Sequence, residues 1–224
     1  MDANGGYAEH MVVPGDFAYH IPEVFSEYEA APLLCAGAIG YRSLMLTGLT
    51  NGNNLGLTGF GGSGHLVLKM VRFNFPDTKV FVFARNPEEQ SFALELGAHW
   101  AGDISQLSPE PLQAIIDTTP AWSPVIASME KLSPGGRLVI NAIRKEKNDQ
   151  AALLDLDYSR HLWLEKEIKT VANVTRNDVT QFLKLADKIN IRPHVEIYPF
   201  QEANCALLDL KRKKIRGSKV LKIA

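Results

Sequence analysis

Gly59-Phe60-Gly61-Gly62-Ser63-Gly64 is the stretch whose residue types and spacing most clearly suggest chemistry. It satisfies G-x-G-x-x-G, a weak pattern alone that gains weight when a strand runs into it and a helix leaves it. Leu55-Gly56-Leu57-Thr58 ahead of it reads as a short apolar strand. After it, Leu66, Val67, Met70 and Val71 share one face of a helix over residues 63–73. In that setting Gly59 permits a tight turn, Gly61 lets backbone approach a pyrophosphate with no Cβ in the way, and Gly64 lets helix and strand pack closely. The helix start offers unpaired N–H groups and a partial positive charge to phosphate. The chemistry implied is capture of a dinucleotide; the bland alternative is a glycine-rich turn that binds nothing.

The next strand bears on which dinucleotide. Lys79-Val80-Phe81-Val82-Phe83 is a continuous β-branched and aromatic run ending in Ala84-Arg85-Asn86. NAD binders end this strand, roughly 20 residues after the glycines, with a carboxylate on the ribose 2′-OH. Here Arg85 stands instead, and a guanidinium can grip a 2′-phosphate and stack on adenine. NADP(H) is therefore expected over NAD(H), against the alternative of a solvated surface arginine. Asp117-Thr118-Thr119-Pro120 closes another strand, Ala114 to Asp117, at the end where ligands bind in open α/β sheets. Asp117 either faces that ligand or caps a turn.

The elements that would position these residues alternate. Pro87 opens a helix through Leu96, with Gly97 at its C-terminal cap; a helix over about 124–131 precedes Pro134-Gly135-Gly136; Arg137 to Asn141 is a strand. A strand over 168–171, a helix over 178–189, a strand over 195–198, a helix over 201–211 and a strand over 219–223 follow. This β-α order predicts an α/β fold, a doubly wound parallel sheet covered on both faces. Ahead of it, residues 7–22 read as two short strands split by Pro14-Gly15, and residues 27–46 as one helix.

Composition narrows the class. Hydrophobic residues are 46% and charged residues 22% of 224, ordinary for a packed globular chain. The net charge of -1 gives no pull toward nucleic acid or anionic lipid, so neither is expected as a partner. No apolar run long enough to cross a bilayer is expected, and Met1 to Gly6 lacks the pattern of a signal peptide. Two cysteines, Cys35 and Cys205, make no disulfide framework and fit a reducing, cytoplasmic setting.

Several stretches together resemble the zinc-type alcohol dehydrogenases of the medium-chain dehydrogenase/reductase superfamily. They are Gly5-Gly6-Tyr7-Ala8-Glu9, Ala30-Ala31-Pro32-Leu33-Leu34-Cys35-Ala36-Gly37, the glycine motif with His65, Glu95-Leu96-Gly97-Ala98, Leu132-Ser133-Pro134-Gly135-Gly136-Arg137 and Lys214-Ile215-Arg216-Gly217-Ser218-Lys219-Val220-Leu221. The resemblance implies a Rossmann domain over residues 33–172, with 1–32 and 173–224 as pieces of a GroES-like catalytic domain. It implies hydride transfer between a nicotinamide cofactor and an alcohol or carbonyl substrate, with zinc as Lewis acid. By the same resemblance Cys35 is a zinc ligand, Thr118-Thr119-Pro120 line the nicotinamide ribose, and Asn141-Ala142-Ile143 face the carboxamide. It also implies a homo-oligomer paired edge to edge between sheets, with Leu138 to Ile143 as the edge.

The resemblance also implies zinc ligands that this sequence lacks: an early cysteine, a Gly-His-Glu motif and a four-cysteine structural loop. A catalytic zinc needs three protein ligands, and the six histidines form no ligand pair on one element. The expectation is a truncated member with no complete zinc site, zinc being held only if the missing ligands are supplied. Cys35 then reads as a core residue or a vacant ligand, and Cys205 as core. Ile39 stands where the family often has threonine. Ser218, flanked by Arg216 and Lys219, stands where an arginine commonly reaches the pyrophosphate; either basic neighbour is a substitute. The alternatives to an alcohol dehydrogenase-like enzyme are a non-catalytic dinucleotide-binding or oligomerisation module and a zinc-independent reductase.

Overall fold

The computed structural model describes residues 5–212 and 217–223. Six parallel strands lie in the order β3-β2-β1-β4-β5-β6. They are β1 (Leu55–Thr58), β2 (Val80–Phe83), β3 (Trp100–Gly102), β4 (Leu112–Asp117), β5 (Leu132–Ile140) and β6 (Glu167–Thr170). The chain starts mid-sheet at β1, winds out to β3, returns to β4 beside β1 and winds out the other way. This is the Rossmann arrangement, and its order reverses between β1 and β4, where a crevice opens at the strands' carboxyl ends.

Burial explains the strand sequences. β1 and β2 are buried at every position, so their runs are apolar without alternation. Their side chains still alternate between faces. Val80 and Val82 join Leu57, Ile116 and Val139 in one core, with residues of α2 (Ala38–Thr47), α3 (Gly62–Asn74), α4 (Pro87–Glu95) and α6 (Arg176–Lys188). Phe81 and Phe83 join Ile115, Leu138 and Ile140 in a second core, closed by Val125 and Met129 of α5 (Ser123–Lys131). Caps set the helix ends. Asn86 accepts from Glu88 N at 2.9 Å before α4, Gly97 follows it at φ +95°, and Thr175 with Asp178 forms a capping box on α6. A separate parallel pair, β7 (Val195–Pro199) and β8 (Ser218–Lys222), flanks α7 (Ala203–Lys211).

The structure corrects several expectations. Residues 7–22 form no strand, only a 3-10 turn at Gly15–Phe17. Tyr7, Met11 and Val12 are exposed, and an alternating pattern makes a strand only where a neighbour takes its backbone hydrogen bonds. The helix expected over 27–46 is α1 (Glu27–Ala30), a π-helical turn Leu33–Gly37 and then α2. A Cβ at Gly37 would overlap the Phe182 ring, so α6 presses directly on that turn. Taken together, Glu27–Thr47 is 21 residues with mean hydropathy 1.2 in its most apolar stretch, long and apolar enough on length and composition to cross a bilayer. No such run was expected from the sequence. More than half of that stretch is buried inside the fold, and α2 packs against α3 and α6.

Residues 138–143 are not an edge either: β5 is bonded to β4 on one side and β6 on the other. The sheet's edge strands are β3 and β6, and β6 is exposed at all four positions. β5 starts earlier than expected, at Leu132, with Gly135 at φ +69° and a register shift opposite Leu112 and Ala114. β3 was not anticipated; it has three residues, one of them buried, too few to show a period. Cys205 is exposed, not core; α7 buries Ala206.

Candidate functional site

The glycine turn sits at the reversal. Gly59 has φ +79°, a conformation that suits glycine, and a Cβ there would stand 2.7 Å from Thr118 Oγ1. Gly64 is tight against the turn, its would-be Cβ 3.0 Å from Gly59 O and 3.3 Å from the Phe60 ring. Gly61 between them is different. It is the N-cap of α3 with φ −91°, and a Cβ there would meet nothing within 4 Å. No side chain caps the helix start, so its first N–H groups lack an intrahelical or side-chain partner. Gly62 faces Ser218 Oγ and Ala36 Cβ, 3.3 and 3.5 Å from its would-be Cβ. Ser63 is half-buried in the first turn. Phe60 is 2% exposed and packs edge-on against Phe92 at 5.7 Å, so its ring belongs to the core and only its backbone to the turn.

Beside the turn lies a crevice of about 370 Å³. Phe83, Ala84, Arg85 and Asn86 after β2 form one wall, and Thr119, Pro120 and Ala121 after β4 the other; Glu146 and Asn148 contribute from the loop after β5. Arg85 is exposed. The Asp103 carboxyl sits below its ordinary range, chiefly through the Ser105 N–H, with Arg85 a smaller cause. Two carboxylates, Glu89 and Glu146, line the same crevice.

The structure thus brings together Gly59, Ala84, Arg85, Thr119 and Pro120. Thr118 donates to Thr58 O at 2.9 Å. Asn141, Ala142 and Ile143 lie off this crevice. Asn141 N donates to Asp117 O at 2.7 Å, its side-chain Nδ2 is buried with no partner, Ala142 packs on the second core, and Ile143 is 98% exposed. Asp117 takes the turn reading. Fully buried, its Oδ1 accepts from Thr58 Oγ1 at 2.6 Å and Thr119 N at 3.2 Å, while Oδ2 accepts from Lys145. Lys145 escaped sequence reasoning because Arg144-Lys145-Glu146-Lys147 reads as a solvated charge run. His65 is fully buried in the first turn of α3, with Nδ1 3.1 Å from Gly61 O and Nε2 without a partner. Burial pushes it down to about 4, against the opposing pull of the Gly61 carbonyl.

At the C-terminal flank, Lys219 is 7% exposed and committed to Glu196 and to Tyr198 Oη at 2.7 Å, so it does not reach the glycines. Arg216 lies outside the described residues. Cys35 is exposed on the π-helical turn, not core. Among the described residues no three His, Cys, Asp or Glu side chains come together as metal ligands, so those residues do not fit a zinc ion.

A protein of Mycobacterium tuberculosis (strain CDC 1551 / Oshkosh) named "Probable alcohol dehydrogenase AdhA" is 40% identical over 222 residues, covering 99% of this chain and 62% of that protein. Over nearly its whole length the chain is thus similar to a protein named as an alcohol dehydrogenase. An alcohol dehydrogenase of Geobacillus stearothermophilus is 28% identical, covering 98% of the chain and 65% of that relative. Among solved structures, a cinnamyl alcohol dehydrogenase from Sorghum bicolor superposes with TM-score 0.75 at 25% identity, over 94% of this chain and 60% of that one. The chain thus spans less than two thirds of the length of each of these proteins. No protein-family profile matches it.

Proposed function

We propose that this chain binds NADP(H) in preference to NAD(H), as the cofactor-holding part of an alcohol dehydrogenase-like oxidoreductase acting on an alcohol and its aldehyde or ketone. In this reading residues 33–172 form the cofactor domain, and 1–32 and 173–224 belong to a catalytic domain. The observation that carries it is the open cradle at Gly61, set where the strand order reverses. The residues fit the cofactor. The α3 start suits a pyrophosphate, Arg85 suits a 2′-phosphate, and Asn141 Nδ2 is a buried donor in want of an acceptor. When bound, the nicotinamide supplies or accepts the hydride. The chain's own work is to hold the phosphates at the backbone of residues 61–64 and to set the adenosine end between Arg85 and Thr119-Pro120, which share one crevice, in place of the nicotinamide ribose that the resemblance implies for Thr119-Pro120.

Titration of the folded chain with NADPH and NADH, followed by reduced-cofactor fluorescence, tests this. Arg85→Ala is expected to lower the NADPH-to-NADH affinity ratio by about tenfold, the low end for a charge-assisted hydrogen bond. The figure is modest because Glu89 and Glu146 line the same crevice. An unchanged ratio refutes the NADP(H) preference; no binding of either cofactor refutes the whole reading.

The exposed β6 edge supports pairing with a second copy, since an uncovered edge strand is a template for another chain. Light scattering behind a sizing column is expected to show a dimer, and Ile168→Lys, a charge placed on that edge, is expected to give monomers. A wild-type monomer, or a variant that stays dimeric, refutes the β6 interface.

A further inference from the structure

The loop after β5 carries a lysine that the reading above leaves unused. The Lys145 side chain is 9% exposed and Asp117 0%. Its ammonium donates to Asp117 Oδ2, to Thr119 O at 2.8 Å and to Ala121 O at 2.9 Å. An ammonium has three protons, and all three are used. The Trp122 ring lies 5.9 Å away. The same loop makes two more ties. Glu146 N donates to Pro120 O at 2.7 Å. Asp149 Oδ2 accepts from Trp122 N at 2.7 Å, Ser123 N at 2.9 Å and Ser123 Oγ at 3.1 Å. Residues 145–149 therefore strap residues 117–123.

A buried ion pair seldom holds a fold better than apolar residues of the same volume would. A lysine saturated by one carboxylate and two carbonyls does something more specific: it fixes where those carbonyls lie. Those carbonyls belong to the crevice wall. Thr119 and Ala121 line the crevice from one loop, and Glu146 and Asn148 from the other. Asp117 carries the tie on to the glycine turn through Thr58, the residue before Gly59.

We infer that Lys145 is a positioning residue that locks the two loops into one wall for the adenosine end of the dinucleotide. This rests on the cofactor reading above. Removing Lys145 alone would strand a buried carboxylate, so the test uses the pair Lys145→Met with Asp117→Asn, compared with wild type well below both unfolding midpoints. The titrants are NADPH and the adenosine-end fragment 2′,5′-ADP, by calorimetry. Both are expected to weaken by about tenfold, as for a site whose support has loosened. Amide hydrogen exchange is expected to speed up in 118–123 and 145–149 and stay unchanged in β1 and β2; a general loss of stability would not be confined to those loops. If the pair fails to fold, Asp149→Ala releases the far end of the strap and is expected to weaken both titrants by about threefold. A folded variant that binds both titrants within about twofold of wild type overturns the inference alone. A wild type that binds neither NADPH nor NADH overturns the cofactor reading, and this inference with it.

Discussion

Gly61→Val is expected to weaken NADPH and NADH binding together by about 100-fold, equivalent to about 3 kcal/mol, while the unfolding midpoint stays within a few degrees of wild type. Gly61 has a negative φ and open space where a Cβ would go, so an added side chain costs the free protein little. It would stand in the path a phosphate must take to the α3 N–H groups. Hydrogen bonds from backbone N–H to a charged phosphate contribute about 1.5–3 kcal/mol each, so losing one or two accounts for the loss. Gly59 and Gly64, already tight, would report on folding as much as on binding. Paired titrations and thermal melts decide the matter. Wild-type affinity in a folded variant would mean that no phosphate enters there.

The second large effect is on acid stability. His65 is fully buried, and burial lowers it from 6.5 to about 4. In the unfolded chain the imidazole takes up a proton near its ordinary value; in the folded chain it stays neutral well below that. Stability is therefore intact above pH 6.5 and is lost as pH falls from there toward about 4. At about 1.4 kcal/mol per pH unit, this one group accounts for about 3 kcal/mol across that window. Urea unfolding of wild type and His65→Leu at stepped pH measures it. The variant is expected to show a shallower fall between pH 6.5 and 4, by close to one proton per molecule. Parallel curves would show that the ring is protonated, or reached by water, in the folded state.

The parts legible in the sequence were those with a local signature. β1 and β2 read correctly because strands buried on both faces need no alternation. Gly59 and Gly64 read correctly because each has a steric reason to lack a Cβ, a positive φ and the nearby Thr118 hydroxyl at the first and the backbone of the turn at the second. Arg85 could be placed on the crevice because its position follows from the strand it ends. What escaped depends on contacts made at a distance. Lys145 looks solvated until its loop folds back over residues 117–123. Cys205 read as core, and Cys35 as core or a vacant ligand, because small apolar neighbours imply burial, yet both are exposed. The 7–22 segment has the alternation of a strand without a neighbour to pair with. The edge at 138–143 was implied by the resemblance, but the strand expected over 168–171 pairs beyond it, and sequence order alone does not say which strand closes a sheet.

Ser218 approaches Gly62 from the start of β8, so the two sides of the glycine turn are contributed by residues far apart along the chain. Closing so long a loop is entropically slow. The outer flank of the turn can form only when the distal segment docks, so it is expected to be among the later contacts to form. An anion captured there would act as a clasp between two parts of the chain that lie far apart in sequence.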